Sequence, residues 1–154
     1  MMSFHVLQKT QKLKVSLDEA WEFFSSPKNL ATITPDYMNF VVTCEVAEKV
    51  YPGQIITYTV SPLLGIPLTW MTEITHVEHR RMFVDEQRIG PYSLWHHQHI
   101  FTEIKGGVET TDIVHYALPM GFLGDMVHAL MVRKQLEGIF EYRRNVLNKM
   151  FGEL

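Results

Sequence analysis

The stretch VETTDIVHYALPMGFLGDMVHALMVRKQLEGIFEYRRNVLNKMF (Val108–Phe151) changes its hydrophobic period part-way along, and that change decides the fold. Up to Leu118 it is a run of β-branched and aromatic residues. After Pro119 and Gly121 the apolar residues Met126, Val127, Leu130, Met131, Ile139, Phe140, Val146, Leu147, Met150 and Phe151 return at steps of three and four. A two-residue period belongs to a strand and a 3.6-residue period to a helix. The spacing predicts a strand over Val108–Leu118 and one long amphipathic helix over Gly124–Phe151. Val127, Leu130, Met131, Ile139, Phe140 and Val146 are expected on its covered face. Arg143, Arg144 and Lys149 suit the negative end of that helix, and Gly152 is a suitable stop. Gly138 should cost about 1 kcal/mol against alanine, so it marks a bend or a close approach.

Upstream of this stretch, Lys105-Gly106-Gly107 reads as a hairpin turn. Ser93–Ile104 and Met82–Ile89 read as strands joined at Gly90-Pro91, and Pro67–Val77 as another. Gln54–Val60 and Phe40–Val46 are two more, turned at Tyr51-Pro52-Gly53. A short helix is expected over Pro27–Ile33, with Leu30 and Ile33 inward and Thr34-Pro35 ending it. Ser16 with Glu19 forms a capping box for a helix carrying Ala20, Trp21, Phe23 and Phe24. Phe4–Val15 reads as the first strand, with Phe4, Val6, Leu13 and Val15 as its apolar members. Sequential strands with short turns make an antiparallel meander, and the last helix alone is long enough to cover it. The expected class is α+β: a curved antiparallel sheet of about six to seven strands wrapped around a C-terminal helix, with residues 1–154 as one domain. Such a wrap leaves space between sheet and helix.

Composition narrows the function. With 46% hydrophobic and 20% charged residues the chain is neither disordered nor fibrous. The net charge is -3 and basic residues cluster only as the pairs Arg80-Arg81 and Arg143-Arg144, so no nucleic-acid partner is expected. Cys44 stands alone, which excludes an internal disulfide and a cysteine-rich zinc site. Met1–Thr10 is too polar for a signal peptide, and no run approaches the roughly 20 apolar residues of a membrane span. A cytoplasmic protein without integral membrane association is expected; nothing sets its oligomeric state.

Alternation assigns faces. Trp95, His97, His99 and Phe101 share one side of their strand, and Leu94, His96, Gln98 and Ile100 the other. Glu86 and Arg88 favour solvent, which turns Phe83, Asp85, Gln87 and Ile89 inward. Trp70, Thr72 and Ile74 join them with Glu73 outward, and Tyr116 shares a face with Asp112. The expected ligand-binding residues are Trp70, Thr72, Asp85, Gln87, Trp95, His97, His99, Phe101 and Tyr116. They make a mostly apolar pocket with a few polar groups. Buried imidazoles there should be neutral unless Asp85 pairs with one, and affinity would then vary around neutral pH.

Three alternatives use the same residues. Asp85, His97 and His99 could be a buried network that satisfies itself, Gln87 being tied to backbone. They are also the candidates for acid–base chemistry, a histidine oriented by Asp85 acting as base. His97 and His99 lie about 7 Å apart along the strand and could share an ion with Asp85 or His115. With only two ligands well placed, no metal is expected. No Gly-x-Ser-x-Gly, phosphate loop or other cofactor motif is present, and no cofactor is expected.

The element order over the whole chain resembles the START-like or SRPBCC superfamily with its helix-grip fold. The motifs FVDEQRIGPYSLWHHQHIF (Phe83–Phe101), DIVHYALP (Asp112–Pro119) and FEYR (Phe140–Arg143) resemble its bacterial ligand-binding members of uncharacterised function. The resemblance implies binding of a lipid, sterol, polyketide or other small hydrophobic or amphipathic molecule between sheet and helix. A minority of the superfamily are cyclases or dehydratases, and a domain with a closed cavity would instead serve protein contact. The superfamily is not generally metal-dependent.

Overall fold

The computed structural model describes residues 4–62, 64–119 and 125–154, without the side chains of residues 125–128. Its strands are β1 (Phe4–Leu13), β2 (Val41–Val42), β3 (Ile55–Val60), β4 (Leu68–Glu78), β5 (Met82–Ile89), β6 (Leu94–Ile104) and β7 (Gly107–Ala117). They form one antiparallel sheet in the order β1-β7-β6-β5-β4-β3-β2. Two helices accompany it, α1 (Leu17–Phe24) and α2 (Asp125–Phe151). No helix among the described residues is long and apolar enough to cross a membrane.

The meander follows from its turns. Gly106, with φ of 87°, closes the β6–β7 hairpin so that Ile104 pairs with Gly107. The first strand then closes beside the last, Leu7 opposite Val114 and Leu13 opposite Val108. That register buries Leu7, Gln11 and Leu13 and leaves Phe4 and Val6 exposed, against the expectation that grouped them with Leu13. A strand of period two cannot bury odd and even positions together, and the fully buried Val108 and Val114 of β7 select the odd ones.

Ser16 caps α1 as expected: its Oγ accepts the Glu19 amide at 3.2 Å, and Glu19 returns a carboxylate to the Ser16 amide at 3.3 Å. The expected helix over Pro27–Ile33 is instead two single turns, Pro27–Asn29 and Ala31–Ile33, and a third, unexpected one follows at Asp36–Met38. The Asn29 side chain donates back to the Phe23 carbonyl, holding this segment against the end of α1. The expected strand Phe40–Val46 shrinks to Val41–Val42. Asn39 before it is left-handed, and beyond it the Thr57 amide donates to the Cys44 sulfur in place of a backbone carbonyl.

Helix α2 runs unbroken to Phe151, as the period predicts. The expected start at Gly124 and the inward placement of Val127 lie outside the described residues. Phe140 is buried and Ile139 and Val146 are half-buried, but Leu130 and Met131 are 69% and 49% exposed. The covered line runs through Val132, Leu136, Phe140, Arg143 and Leu147. Met131 precedes Phe140 by nine residues, which at 3.6 residues per turn puts it on the opposite side.

Gly138 is neither a bend nor a close approach: a Cβ there would meet open space. Gly138→Ala should therefore raise stability by about 0.5–1 kcal/mol. The melting temperature should rise by roughly 2–3 °C, and a fall on calorimetry would contradict this reading.

One side of the interior is filled. Trp21 of α1 stands edge-on to Phe101 at 5.6 Å and to Phe83 at 6.2 Å, above the fully buried Leu13, Val108 and Leu147. Further along α2 the sheet and helix part around a hollow.

Candidate functional site

The hollow is a cavity of about 410 Å³ between β3–β6, α2 and the single turns after α1. Its apolar wall is largely aromatic. Trp70 lies nearly parallel to Tyr58, with centroids 5.9 Å apart, and edge-on to Trp95 at 5.4 Å; Tyr92 closes on Trp95 at 4.9 Å. Ile139, Leu136 and Phe140 complete it from the helix. Thr72 borders the cavity, but its hydroxyl is engaged, accepting from Trp70 Nε1 at 3.1 Å and lying 3.3 Å from the Tyr58 hydroxyl.

The carboxylate, imidazole and guanidinium groups gather at one place. Strand pairing sets Asp85 opposite His97 and His99 opposite Asp112, and alternation puts all four on the inner face. Contacts then cross diagonally: His99 Nε2 lies 2.5 Å from Asp85 Oδ2, and His97 Nε2 lies 2.8 Å from Asp112 Oδ1. The two rings lie 3.7 Å apart between centroids, and Phe83 stacks beneath His99 at 4.2 Å. Arg143 of α2 lies over the Phe140 ring at 4.9 Å, with Nη1 3.9 Å from Asp112 Oδ1. Among the described residues, the buried Nε of Arg143 has no hydrogen-bond partner.

Burial and proximity divide the charges. Burial pushes His97 below the ordinary imidazole range, and the neighbouring His99 pushes it the same way, against the attraction of Asp85 and Asp112. Burial works against a charged His99 too, but its hydrogen bonds to Asp112 and Asp85 outweigh it and raise its pKa. Both carboxyls are held low despite burial, Asp112 chiefly by its bonds to the histidines and Asp85 by the neighbouring His97, the His99 bond and Arg143. The directions favour positive charge on His99 and Arg143, facing the two carboxylates, over His97. The pairing that opposes a neutral imidazole falls on His99 and comes from Asp112 as well as the expected Asp85.

Of the expected site residues, Trp70, Thr72, Asp85, Trp95, His97 and His99 border the cavity. Three do not. Phe101 is packed beneath it against Trp21, Phe24 and Phe83. Tyr116 is buried behind Tyr92 and Trp95. The Gln87 amide is spent on backbone, donating to the Tyr92 carbonyl at 2.7 Å and accepting the Tyr92 amide at 3.1 Å. A Cβ at Gly90 would collide with that amide, so the glycine makes room for the clamp that holds Tyr92 in the wall. Ile89, expected inward, is 52% exposed: the pairing of β4 with β5 shifts between Met71 and Thr72 and reverses the faces there. His96 and His115 lie on the outer face, His96 on Glu86 at 2.7 Å, so His115 cannot join His97 and His99.

Strand and helix patterning alone assigns no site role to Arg143, Tyr58 or Tyr92, and leaves the face of Asp112 open. Two signals could have found the missing pair. Counting back from the Gly106–Gly107 turn sets Asp112 opposite His99, and spacing from Phe140 puts Arg143 on the covered line.

No protein-family model matches the sequence, and no curated protein does. Solved structures do match over nearly the whole chain. A protein of Chromobacterium violaceum superposes with a TM-score of 0.70 at 10% identity, covering 97% of this chain and 99% of that one. A Mycobacterium smegmatis protein gives 0.67 at 17% identity, with 94% and 89% covered. Ara h 8.0201 gives 0.61 at 14% identity, with 96% and 99% covered. At such identities the likeness concerns the fold alone, the helix-grip arrangement of a curved antiparallel sheet around a C-terminal helix.

Proposed function

We propose that this chain binds a small hydrophobic or amphipathic molecule in the cavity between the sheet and α2. The observation that carries the reading is the cavity itself: about 410 Å³, walled by Trp70, Trp95, Tyr58 and Ile139, with Asp85, His97, His99 and Arg143 as its ionisable groups besides the tyrosines. Ligand sites commonly occupy about 300–1,000 Å³ and combine apolar walls with a few placed polar groups. Such a volume also speaks against a closed interior that serves only protein contact. Filled cores leave few voids larger than a water molecule.

Arg143 supports the amphipathic form of the reading. Arg143 borders the cavity beside Asp85, His97 and His99, so a ligand whose anionic end lies there would meet a charged hydrogen-bond donor. Dodecanoate and dodecanol, identical but for the head group, separate this from apolar binding alone. Arg143→Leu should weaken dodecanoate about tenfold, as loss of a hydrogen bond to a charged group does, and leave dodecanol unchanged. The general test is displacement of a fluorescent apolar probe by both compounds, with native mass spectrometry of protein from its own source to name the resident molecule. Absence of probe binding at millimolar concentration would end the proposal.

A further inference from the structure

We propose that Asp85, His97 and His99 form a mononuclear site for a divalent transition-metal ion at the cavity wall, with Asp112 positioning both imidazoles. The expectation of no metal rested on a missing third ligand, and β5 supplies it. Asp85, His97 and His99 each offer one ligand atom, and these atoms lie within 4.8 Å of one another.

Which nitrogens face which carboxylate carries the argument. His97 Nδ1 and His99 Nε2 both turn to Asp85 Oδ2, at 3.5 and 2.5 Å. The opposite nitrogens, His97 Nε2 and His99 Nδ1, both turn to Asp112 Oδ1, at 2.8 and 3.4 Å. Metal-bound histidines hand their second N–H to a carboxylate in this way, which sets the tautomer and the ring orientation. Each ring thus turns one nitrogen to Asp85 and the other to Asp112, so an ion held by Asp85 and the first pair of nitrogens would have both rings braced from behind by one carboxylate.

Distances and charge agree. Zinc–nitrogen and zinc–oxygen bonds of about 2.0–2.1 Å put the ligand atoms of a tetrahedral site roughly 3.4 Å apart. The His97–Asp85 separation already meets this, and the His99–Asp85 contact has to open by about 1 Å as the ion replaces the proton it shares. Two imidazoles and one carboxylate suit zinc, cobalt, nickel or ferrous iron rather than magnesium or calcium. A doubly charged ion with Asp85, Asp112 and Arg143 leaves one net positive charge, which a ligand's anionic end or a hydroxide would balance. All three ligand residues border the cavity, so the remaining coordination position is open to such a group.

The test uses chelator-stripped protein titrated with Zn²⁺ by calorimetry and with Co²⁺ by visible absorption, no apolar ligand being present. One equivalent should bind, with a Co²⁺ spectrum intensified above that of the six-coordinate aqua ion. Asp112→Asn keeps all three ligands and should weaken binding about 10–100-fold, as loss of a partner behind the ligands does. The His97→Ala/His99→Ala double variant should lose more, and His96→Ala/His115→Ala should lose nothing. Uptake below one equivalent, an unchanged aqua-ion spectrum, or equal binding by the His97/His99 variant would overturn the proposal. The spectrum of the unaltered chain is decisive even where a variant fails to fold. Metal uptake and probe binding are measured separately, so either reading can fail while the other stands.

Discussion

Asp112→Ala should lower the stability of the metal-free protein by about 3 kcal/mol, the low end of what breaking a buried ion pair costs. For a chain of this size that is a fall of roughly 6–12 °C in melting temperature. The reason is the number of groups that converge on one carboxylate. Asp112 Oδ1 accepts from His97, lies 3.4 Å from His99 Nδ1, and is 3.9 Å from the Arg143 guanidinium. Its removal leaves two positive charges facing Asp85 alone. The side chain is 19% exposed and borders a second cavity of about 110 Å³, so water recovers part of the loss and the low end of the range applies. A companion variant separates stability from function. Asp85→Leu/His97→Phe/His99→Phe/Asp112→Val/Arg143→Met removes every charged member at once, Arg143 included, and such apolar replacements are often neutral or stabilising. If the fivefold variant melts near the parent temperature while Asp112→Ala does not, the cluster is retained for something other than stability. A cost below about 1 kcal/mol for Asp112→Ala would mean that the crossed pairing contributes no more than an exposed ion pair.

Much of the fold was legible because its signals are local and repeated. The β4–β7 meander is marked by the Gly90-Pro91 and Gly106-Gly107 turns, and α2 by many residues in one period. Where the pattern misleads, a distant partner decides. Phe4 and Val6 look like core residues in isolation, but β1 takes its register from β7, more than a hundred residues away, and that register favours Leu7. Leu130 and Met131 fit a three-and-four pattern counted along the helix, yet the sheet meets α2 along the line of Val132, Leu136 and Phe140. A periodic pattern fixes relative angles within a helix and leaves open which apolar side is covered.

The candidate site divides in the same way. His97, His99 and Asp85 were readable because strand parity and one connection suffice to put them together. Phe101 obeys the same parity and faces inward, but α1 fills the space above it with Trp21 and Phe24. Parity reports the side of a sheet, and whether that side is packed or hollow depends on what lies across it. Gln87 shows the other limit: its side chain is consumed by the Tyr92 backbone, a contact set by the loop and invisible to alternation.

Val132→Trp/Ile139→Trp should reduce affinity for dodecanoate by at least 100-fold, a loss of about 2.7 kcal/mol, while the protein stays folded. The two positions are seven residues apart, so both indoles project from one face of α2. Both residues border the cavity and are half-buried, so the added rings enter open space instead of a filled core. Overpacking a filled core costs about 1–3 kcal/mol, whereas filling a hollow adds apolar contact and should hold or raise the melting temperature. The direction of the stability change is thus a second readout of whether the hollow exists in solution. Trp70 and Trp95 across the cavity leave no room for the ligand to shift away from the helix. The Asp85, His97 and His99 contacts are untouched by the change, so metal uptake should persist in the same variant. Retained dodecanoate affinity with a lowered melting temperature would place binding elsewhere on the molecule and the two positions within a packed interior.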